Sequence, residues 1–248
     1  MKKKYLLPIT ILIISSAIIS ACQIPYINFT RGTGEIITET RNVAGFNKIR
    51  LDGAGRLFIK QGSSESLEIE AEENVMDELT SEVSGDTLIL GYENRSWWRS
   101  IIPTSPIVYN LTVVDLNELT LNGAGDLNIE NLETASFKIT MNGAGQINVE
   151  GLMATDLSVR IAGTGTIAIN GEARTQSISI DGAGNYQASD LKTSSTEITI
   201  DGLGNATIWA TENLDITING GGSLSYYGSP SVSQDVNGLG DIKSQGNK

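Results

Sequence analysis

The chain has 248 residues, 40% of them hydrophobic, 19% charged and 6% aromatic, with 17 basic against 29 acidic side chains and a net charge of −12. That apolar content excludes a disordered chain, and 27 glycines fall far short of the one-third that collagen needs. Histidine is absent, which removes the commonest general base, any Ser-His or Cys-His nucleophilic pair and imidazole metal ligands.

At the N-terminus Lys2, Lys3 and Lys4 precede an apolar run from Leu6 to Ile19 that contains Pro8. The run is shorter than the roughly 20 residues of a spanning helix and suits the apolar region of a secretory leader. Ile19-Ser20-Ala21-Cys22 then resembles the lipobox of bacterial lipoproteins. The expectation is a signal peptide over 1–21, lipid attachment at Cys22 and a lipidated tether over 22–34; the alternative is an uncleaved anchor helix. Cys22 is the only cysteine, so neither an intrachain disulfide nor a multi-cysteine metal site can form. Without the three leader lysines, 14 basic residues face 29 acidic ones. Such a field repels phosphate backbones, so nucleic acid is not an expected partner and membrane attachment falls to the acyl chains. The expected location is the cell envelope, outward from the cytoplasm, at an outer membrane or cell surface.

From residue 35 to 248 the sequence reads as one β domain. Ile49-Arg50-Leu51-Asp52-Gly53-Ala54-Gly55-Arg56-Leu57-Phe58-Ile59 places two alternating apolar runs around an Asx-Gly-x-Gly step. Alternation marks strands with one buried face. An irregular stretch follows. Val75, Leu79 and Val83 are spaced i, i+4, i+8 within Ala71–Val83, which predicts a short helix serving as an N-terminal cap. Arg95, Trp97, Trp98 and Arg99 form an arginine-flanked tryptophan loop. Its two readings are an exposed aromatic contact for a glycan, a partner or the membrane interface, and a plug on the solenoid end or flank.

From Leu119 the template of Ile49–Ile59 recurs. The glycine pairs are Gly53/Gly55, Gly123/Gly125, Gly143/Gly145, Gly163/Gly165, Gly182/Gly184, Gly202/Gly204, Gly220/Gly222 and Gly238/Gly240, about 20 residues apart from the second pair onward. Leu51, Leu121, Met141, Ile161, Ile180, Ile200, Ile218 and Val236 precede the Asx position, and Leu57, Leu127, Ile147, Ile167, Tyr186, Ala206, Leu224 and Ile242 follow the second glycine by two. A unit of this size cannot close a core alone, but units stacked in parallel bury a continuous apolar column. The predicted fold is all-β: a single-domain parallel β-helix, a β-solenoid of about 20 residues per repeat, expected to be right-handed, with glycines that supply φ > 0 at the turns. A propeller blade needs about twice this length, and neither a leucine-rich-repeat signature nor the aspartate row of calcium-binding nonapeptides is present.

The repeated Gly-Ala-Gly turns, with Gly145-Gln146-Ile147-Asn148 as one instance, resemble the head GIN domain of autotransporter adhesins over roughly Gly45 to Asp241. The resemblance implies a bacterial cell-envelope protein on a parallel β-helix. A chain ending at Lys248 leaves no room for an outer-membrane barrel, so an adhesive role is an expectation from fold alone.

The outward rows locate candidate chemistry. One holds Arg50, Thr120, Thr140, Arg160, Ser179, Thr199 and Thr217; another holds Lys48, Glu118, Lys138, Ser158, Ser177, Glu197 and Asp215. Hydroxyls with scattered charges suit saccharide contact and equally a solvated sheet. The Asx row is Asp52, Asn122, Asn142, Ala162, Asp181, Asp201, Asn219 and Asn237, in which stacked asparagines can form a ladder. Asp181 and Asp201 become neighbours, expected to splay into solvent rather than share a proton or hold a cation. Parallel β-helices also carry polysaccharide lyases and hydrolases, but Lys138 and Arg160 have no acidic cluster with them, and paired carboxylates at catalytic spacing are not apparent. The sequence therefore predicts a non-catalytic binding or adhesive surface without metal or cofactor, whose partners are the membrane through the anchor and a surface glycan or envelope protein. The alternative is a scaffold that self-associates by end-to-end stacking.

Overall fold

The computed structural model describes residues 28–93 and 99–248. In chain order the elements are β1 (Asn28–Arg31), β2 (Ile36–Arg41), β3 (Lys48–Leu51), β4 (Ala54–Gln61), β5 (Ser66–Glu72), α1 (Glu73–Met76), β6 (Leu79–Ser84), β7 (Thr87–Tyr92), β8 (Arg99–Ile102) and β9 (Val108–Val113). The regular part follows as β10 (Glu118–Leu121), β11 (Ala124–Glu130), β12 (Glu133–Met141), β13 (Ala144–Ile161), β14 (Thr164–Ile180), β15 (Asn185–Ile200), β16 (Asn205–Ile218), β17 (Ser223–Tyr227), β18 (Ser231–Val236) and β19 (Asp241–Ser244).

The parallel β-solenoid is built by register. On one face Leu51 pairs with Leu121, Leu121 with Met141, and onward through Ile161, Ile180, Ile200, Ile218 and Val236. On a second face Leu57, Leu127, Ile147, Ile167, Tyr186, Ala206, Leu224 and Ile242 stack in the same way. A third face carries Met153 against Glu133, Glu172 and then Lys192. The long strands β13 to β16 run through the corners between these faces, so one strand serves two sides of the coil. From Leu51 through Ile218 the first column has no solvent exposure, which places the core along the solenoid axis. Each fully buried side chain of this size contributes about 1.5–3 kcal/mol. Val236 departs from the column: it is 41% exposed because β18 is the last strand of this stack in the described residues.

The glycines are there for a different reason than turn chemistry suggests. Of the sixteen in the pairs, only Gly55, Gly145 and Gly165 have positive φ. The expected φ > 0 is absent at every first glycine, namely Gly53, Gly123, Gly143, Gly163, Gly182, Gly202, Gly220 and Gly238. It is absent too at the second glycines Gly125, Gly184, Gly204, Gly222 and Gly240. Gly125 is not in a turn at all but inside β11, with Gly55 and Gly145 as its register partners. What the pairs share instead is proximity. A Cβ on Gly143 would lie 1.8 Å from the carbonyl oxygen of Gly123, and one on Gly163 would lie 1.9 Å from that of Gly143. The same contact recurs at 2.0 Å for Gly202 on Gly182, Gly220 on Gly202 and Gly238 on Gly220. The second glycines repeat it one step on: a Cβ would meet the Gly55 oxygen at 2.2 Å from Gly125, the Gly184 oxygen at 2.1 Å from Gly204, and the Gly204 oxygen at 2.0 Å from Gly222. On Gly240 it would lie 2.4 Å from the Gly222 oxygen, and on Gly184 2.4 Å from the Ile161 side chain. Gly53 is the looser case, with the Tyr92 ring 3.2 Å away. Successive coils approach so closely at this corner that a side chain would occupy the backbone of the coil below.

The irregular stretch folds back beneath the first coil. β7 pairs in parallel with β3, and β9 with β4, so β7 and β9 add a coil on the side of β3–β4 opposite to β10–β11. Antiparallel strands then end the stack: β6 on β7, and β5 then β2 on β9. The helix expected over Ala71–Val83 is only the single turn Glu73–Met76, and Leu79–Ser84 is strand. Val75 and Leu79 are buried, whereas Val83 is 37% exposed. Alternation of Leu79, Ser81 and Val83 outcompetes the helical spacing, and Gly85 at φ 63° starts the two-residue loop into β7. Capping is therefore done mainly by antiparallel edges and not by a helix. β1, in the segment read as tether, pairs in parallel with β8.

Candidate functional site

Cys22, the leader over 1–21, Arg95, Trp97 and Trp98 lie outside the described residues. Arg99 opens β8, where it pairs with Asn28. Among the described residues no helix is long and apolar enough to cross a membrane.

The Asx row forms two amide ladders, each ending on an aspartate. Asn142 Nδ2 donates to Asn122 Oδ1 at 2.9 Å, and Asn122 Nδ2 donates to Asp52 Oδ1 at 2.7 Å. Asn237 donates to Asn219 at 3.3 Å and Asn219 to Asp201 at 2.7 Å. An amide both donates and accepts, so the lowest rung needs only an acceptor, and a carboxylate supplies it. Between the ladders stand Ala162 and Asp181. Asp181 is exposed as expected but does not stand free: it accepts from Ser179 Oγ at 2.9 Å and from Arg160 Nε at 2.8 Å. The Ser179 hydroxyl, and after it the Arg160 guanidinium, hold its carboxyl below the usual carboxylate range. Asp181 and Asp201 thus have separate partners, and among the described residues no group of three or more acidic, histidine or cysteine side chains is placed to share a metal.

The two cations singled out on the outer face are engaged. Arg160 is on Asp181, and Lys138 Nζ contacts Glu118 at 3.0 Å. Lys48 meets Asp86 at 2.8 Å, and that pairing raises the lysine and lowers the aspartate from their ordinary values. The lower part of this face is therefore self-neutralised.

Further along, the same face carries a groove of about 410 Å³. One wall is the row Ser136, Asp156, Thr175 and Ser195, and the other is Ser158, Ser177, Glu197 and Asp215. Two outward residues separated by one inward residue give the walls, and the inward row Leu157, Gln176 and Thr196 gives the floor. Each floor residue is 2% exposed. Asp156 accepts from Thr175 Oγ1 at 2.6 Å, which fixes the upper wall.

Beneath the floor lies a polar network that the alternation does not announce. Tyr186 Oη donates to Gln176 Oε1 at 2.9 Å, and Gln176 Nε2 donates to Thr196 Oγ1 at 3.0 Å. The Thr196 and Thr193 hydroxyls are 2.8 Å apart, and Thr193 donates to the carbonyl of Trp209 at 2.8 Å. Burial pushes the Tyr186 phenol far up, so it stays a neutral donor. With each of these groups paired, the network locks the coils that carry the groove. A second cleft of about 330 Å³ sits on the other face around Phe58, Lys60, Glu68 and Asn110. Phe58 is 43% exposed there, with Asn110 and Asn128 as its register neighbours.

The family model described as "Putative auto-transporter adhesin, head GIN domain" matches residues 45–230. The chain belongs to the head GIN domain family. No curated protein matches it. Among solved structures this head GIN domain is similar to a "putative adhesin" from Bacteroides fragilis, with 28% identity over 86% of this chain and 99% of that one and a TM-score of 0.82. A "putative lipid binding protein" from Parabacteroides distasonis shares 21% identity over 88% and 99% at a TM-score of 0.67. A "putative adhesin" from Parabacteroides merdae shares 24% identity over the same fractions at 0.65. The last two establish likeness of fold alone. The head GIN model covers the added coil, the groove and the ladders apart from Asn237, and an adhesin-like family places the chain among surface or envelope proteins.

Proposed function

We propose that this head GIN domain is a non-catalytic binding module of the cell envelope, held by lipid on Cys22 after removal of 1–21, whose groove receives an extended neutral polymer such as a surface glycan. The observation that carries the reading is the groove between the Ser136–Asp156–Thr175–Ser195 and Ser158–Ser177–Glu197–Asp215 rows. Hydroxyls donate and accept, carboxylates accept, and a saccharide offers hydroxyls of both kinds. The rigid floor sets these groups at coil spacing, which favours a repeating polymer over a compact ligand. Catalysis is not part of the proposal: Arg174, the cation at the groove wall, is paired with Asp156, and Arg160 and Lys138 are committed to Asp181 and Glu118.

The test is an array of glycans and envelope polymers probed with the chain and with Ser177→Arg, which fills the groove. Binding by the first and not the second supports the reading. Hydrolysis or lyase products from any array glycan would overturn it. The lipid anchor is tested separately, by incorporation of labelled palmitate into the chain and its loss in Cys22→Ala.

A second reading, end-to-end stacking as an envelope scaffold, is favoured by the exposed strand β18 and by Val232 and Val236, which are 38% and 41% exposed at the ends of the inward columns of Leu214 and Ile218. Concentration-dependent sedimentation that disappears in Val236→Lys is the outcome this reading expects.

A further inference from the structure

Trp209 and Tyr227 are register partners on adjacent coils and both are half-buried, Trp209 facing outward between the buried Ile208 and Ala210. Outer positions of this solenoid are otherwise mostly polar; the neighbour of Trp209 on the coil before is Lys192. The aromatic pair is covered by a single charge. Lys248 Nζ lies 5.4 Å from the Trp209 ring centroid and 5.2 Å from that of Tyr227, within the range of cation–π attraction. The same ammonium donates to the Ser189 carbonyl at 2.6 Å and to the Asp190 carboxylate. Two rings, a carboxylate and a carbonyl thus surround one ammonium, contributed by three successive coils.

From this geometry we propose that Trp209, Tyr227, Asp190 and the Ser189 carbonyl form a binding site for a primary alkylammonium, that Lys248 is its tethered occupant, and that a lysine side chain of another polypeptide competes for it. The donor pattern selects the class. A primary ammonium has three N–H groups, of which two meet the oxygens while the charge faces the rings; a quaternary ammonium would leave both oxygens unpaired. A polypeptide lysine is favoured over other amines because the seated occupant is itself a lysine. The net charge of −12 also draws a basic partner towards the surface.

The occupant is held so that it can leave. Its segment reaches the cage through Gly246 at φ 83°, secured by the Gly228 amide on the Gly246 carbonyl at 2.9 Å and by Ser229 Oγ on Asn247 at 2.6 Å. Asp190 is largely exposed, and the contact with Lys248 lowers its carboxyl from the ordinary value. Release of Lys248 costs few buried contacts, and the vacated aromatic faces would then meet the incoming stem.

The experiment uses the full chain in a maltoside detergent, with Trp97→Phe and Trp98→Phe leaving Trp209 as the only tryptophan. Its fluorescence is titrated with Nα-acetyl-lysine methylamide, with O-phosphoethanolamine and with tetramethylammonium. A tether of this kind acts at roughly millimolar effective concentration, so Lys248→Ala is expected to bind the lysine derivative at least about fivefold more tightly than the chain with Lys248. Tyr227→Ala added to Lys248→Ala is expected to abolish the response. Lys248→Gln, which keeps a polar side chain of similar length, is the second variant and should show the same gain. Equal affinity with and without Lys248, or no response in either variant, overturns the site. A response to phosphoethanolamine or tetramethylammonium as strong as that to the lysine derivative overturns the polypeptide lysine as ligand.

Discussion

At the scale of single residues the fold is set by what cannot be present. A methyl group on Gly143 would lie 1.8 Å from the Gly123 carbonyl oxygen, and because that oxygen belongs to stacked backbone no side-chain rotation relieves the clash. Gly143→Ala is therefore expected to lower stability by about 3 kcal/mol or more, read as a fall in urea midpoint. Gly91→Ala, whose nearest neighbour would be 3.6 Å away, should stay within about 0.5 kcal/mol of the parent. The glycine period was legible in the sequence, but its cause was not. Spacing shows that glycine recurs, and only the stacked coils show a carbonyl in the place of nearly every Cβ. Glu72 makes a second residue-scale case. It is 3% exposed and accepts from the Thr104 hydroxyl and from the Thr104 and Ser105 amides, which hold its carboxyl below the ordinary range. A carboxyl lowered on folding stabilises the native state above its unfolded value, and loses that contribution as pH falls through the folded one. The stability gap between the parent and Glu72→Ala should thus be full at neutral pH and shrink below about pH 4 in acid titration followed by circular dichroism.

Among the elements, β14 and β15 bring together the side chains that support the groove. Alternation around each glycine pair identifies the inward columns nearest the turns, and these residues are buried as expected up to the last coil. It does not identify the column Phe137, Leu157, Gln176, Thr196 and Leu214, because glutamine and threonine interrupt the apolar signal while the register continues. Counting 19 residues on from Leu157 to Gln176, and a further 20 to Thr196, was the available clue. Tyr186→Phe strands the Gln176 carbonyl oxygen, and Gln176→Leu strands the Tyr186 hydroxyl, so each is expected to cost about 1–3 kcal/mol. The double variant should cost less than the sum of the two in a denaturation cycle, since both partners then leave together. The helix over Ala71–Val83 fails for a related reason. Three apolar residues at i, i+4, i+8 also satisfy period two, and the unpaired edge of β7 offered a strand more hydrogen bonds than a lone helix could make.

Considered as a whole, the molecule is a rigid column with one antiparallel end and a groove partway along one face. One wall of the groove was legible, since the row through Ser158, Ser177, Glu197 and Asp215 follows from the repeat, whereas the Ser136, Asp156, Thr175 and Ser195 row lies beyond the runs that flank the glycine pairs. The pairing of the charges was not legible, because Arg160 reaches Asp181 on the next coil and Lys138 reaches Glu118 on the coil before. The extra coil of β7 and β9 was also hidden: Leu88, Leu90, Tyr109 and Leu111 alternate, but the sequence between the two strands lacks the glycine pair that marks the other copies. These features together turn a regular stack into a face whose lower part is neutralised and whose middle offers the hydroxyls of Ser158 and Ser177 and the carboxylates of Glu197 and Asp215. The measurement closest to the central claim is calorimetric titration of the best array polymer into three proteins: the parent chain, Ser177→Arg, and Trp97→Ala with Trp98→Ala. If the groove is the binding surface, heat is lost with Ser177→Arg and retained in the double tryptophan variant. Binding that survives Ser177→Arg and vanishes with the two tryptophans would move the site to Trp97 and Trp98 and contradict the assignment of the groove.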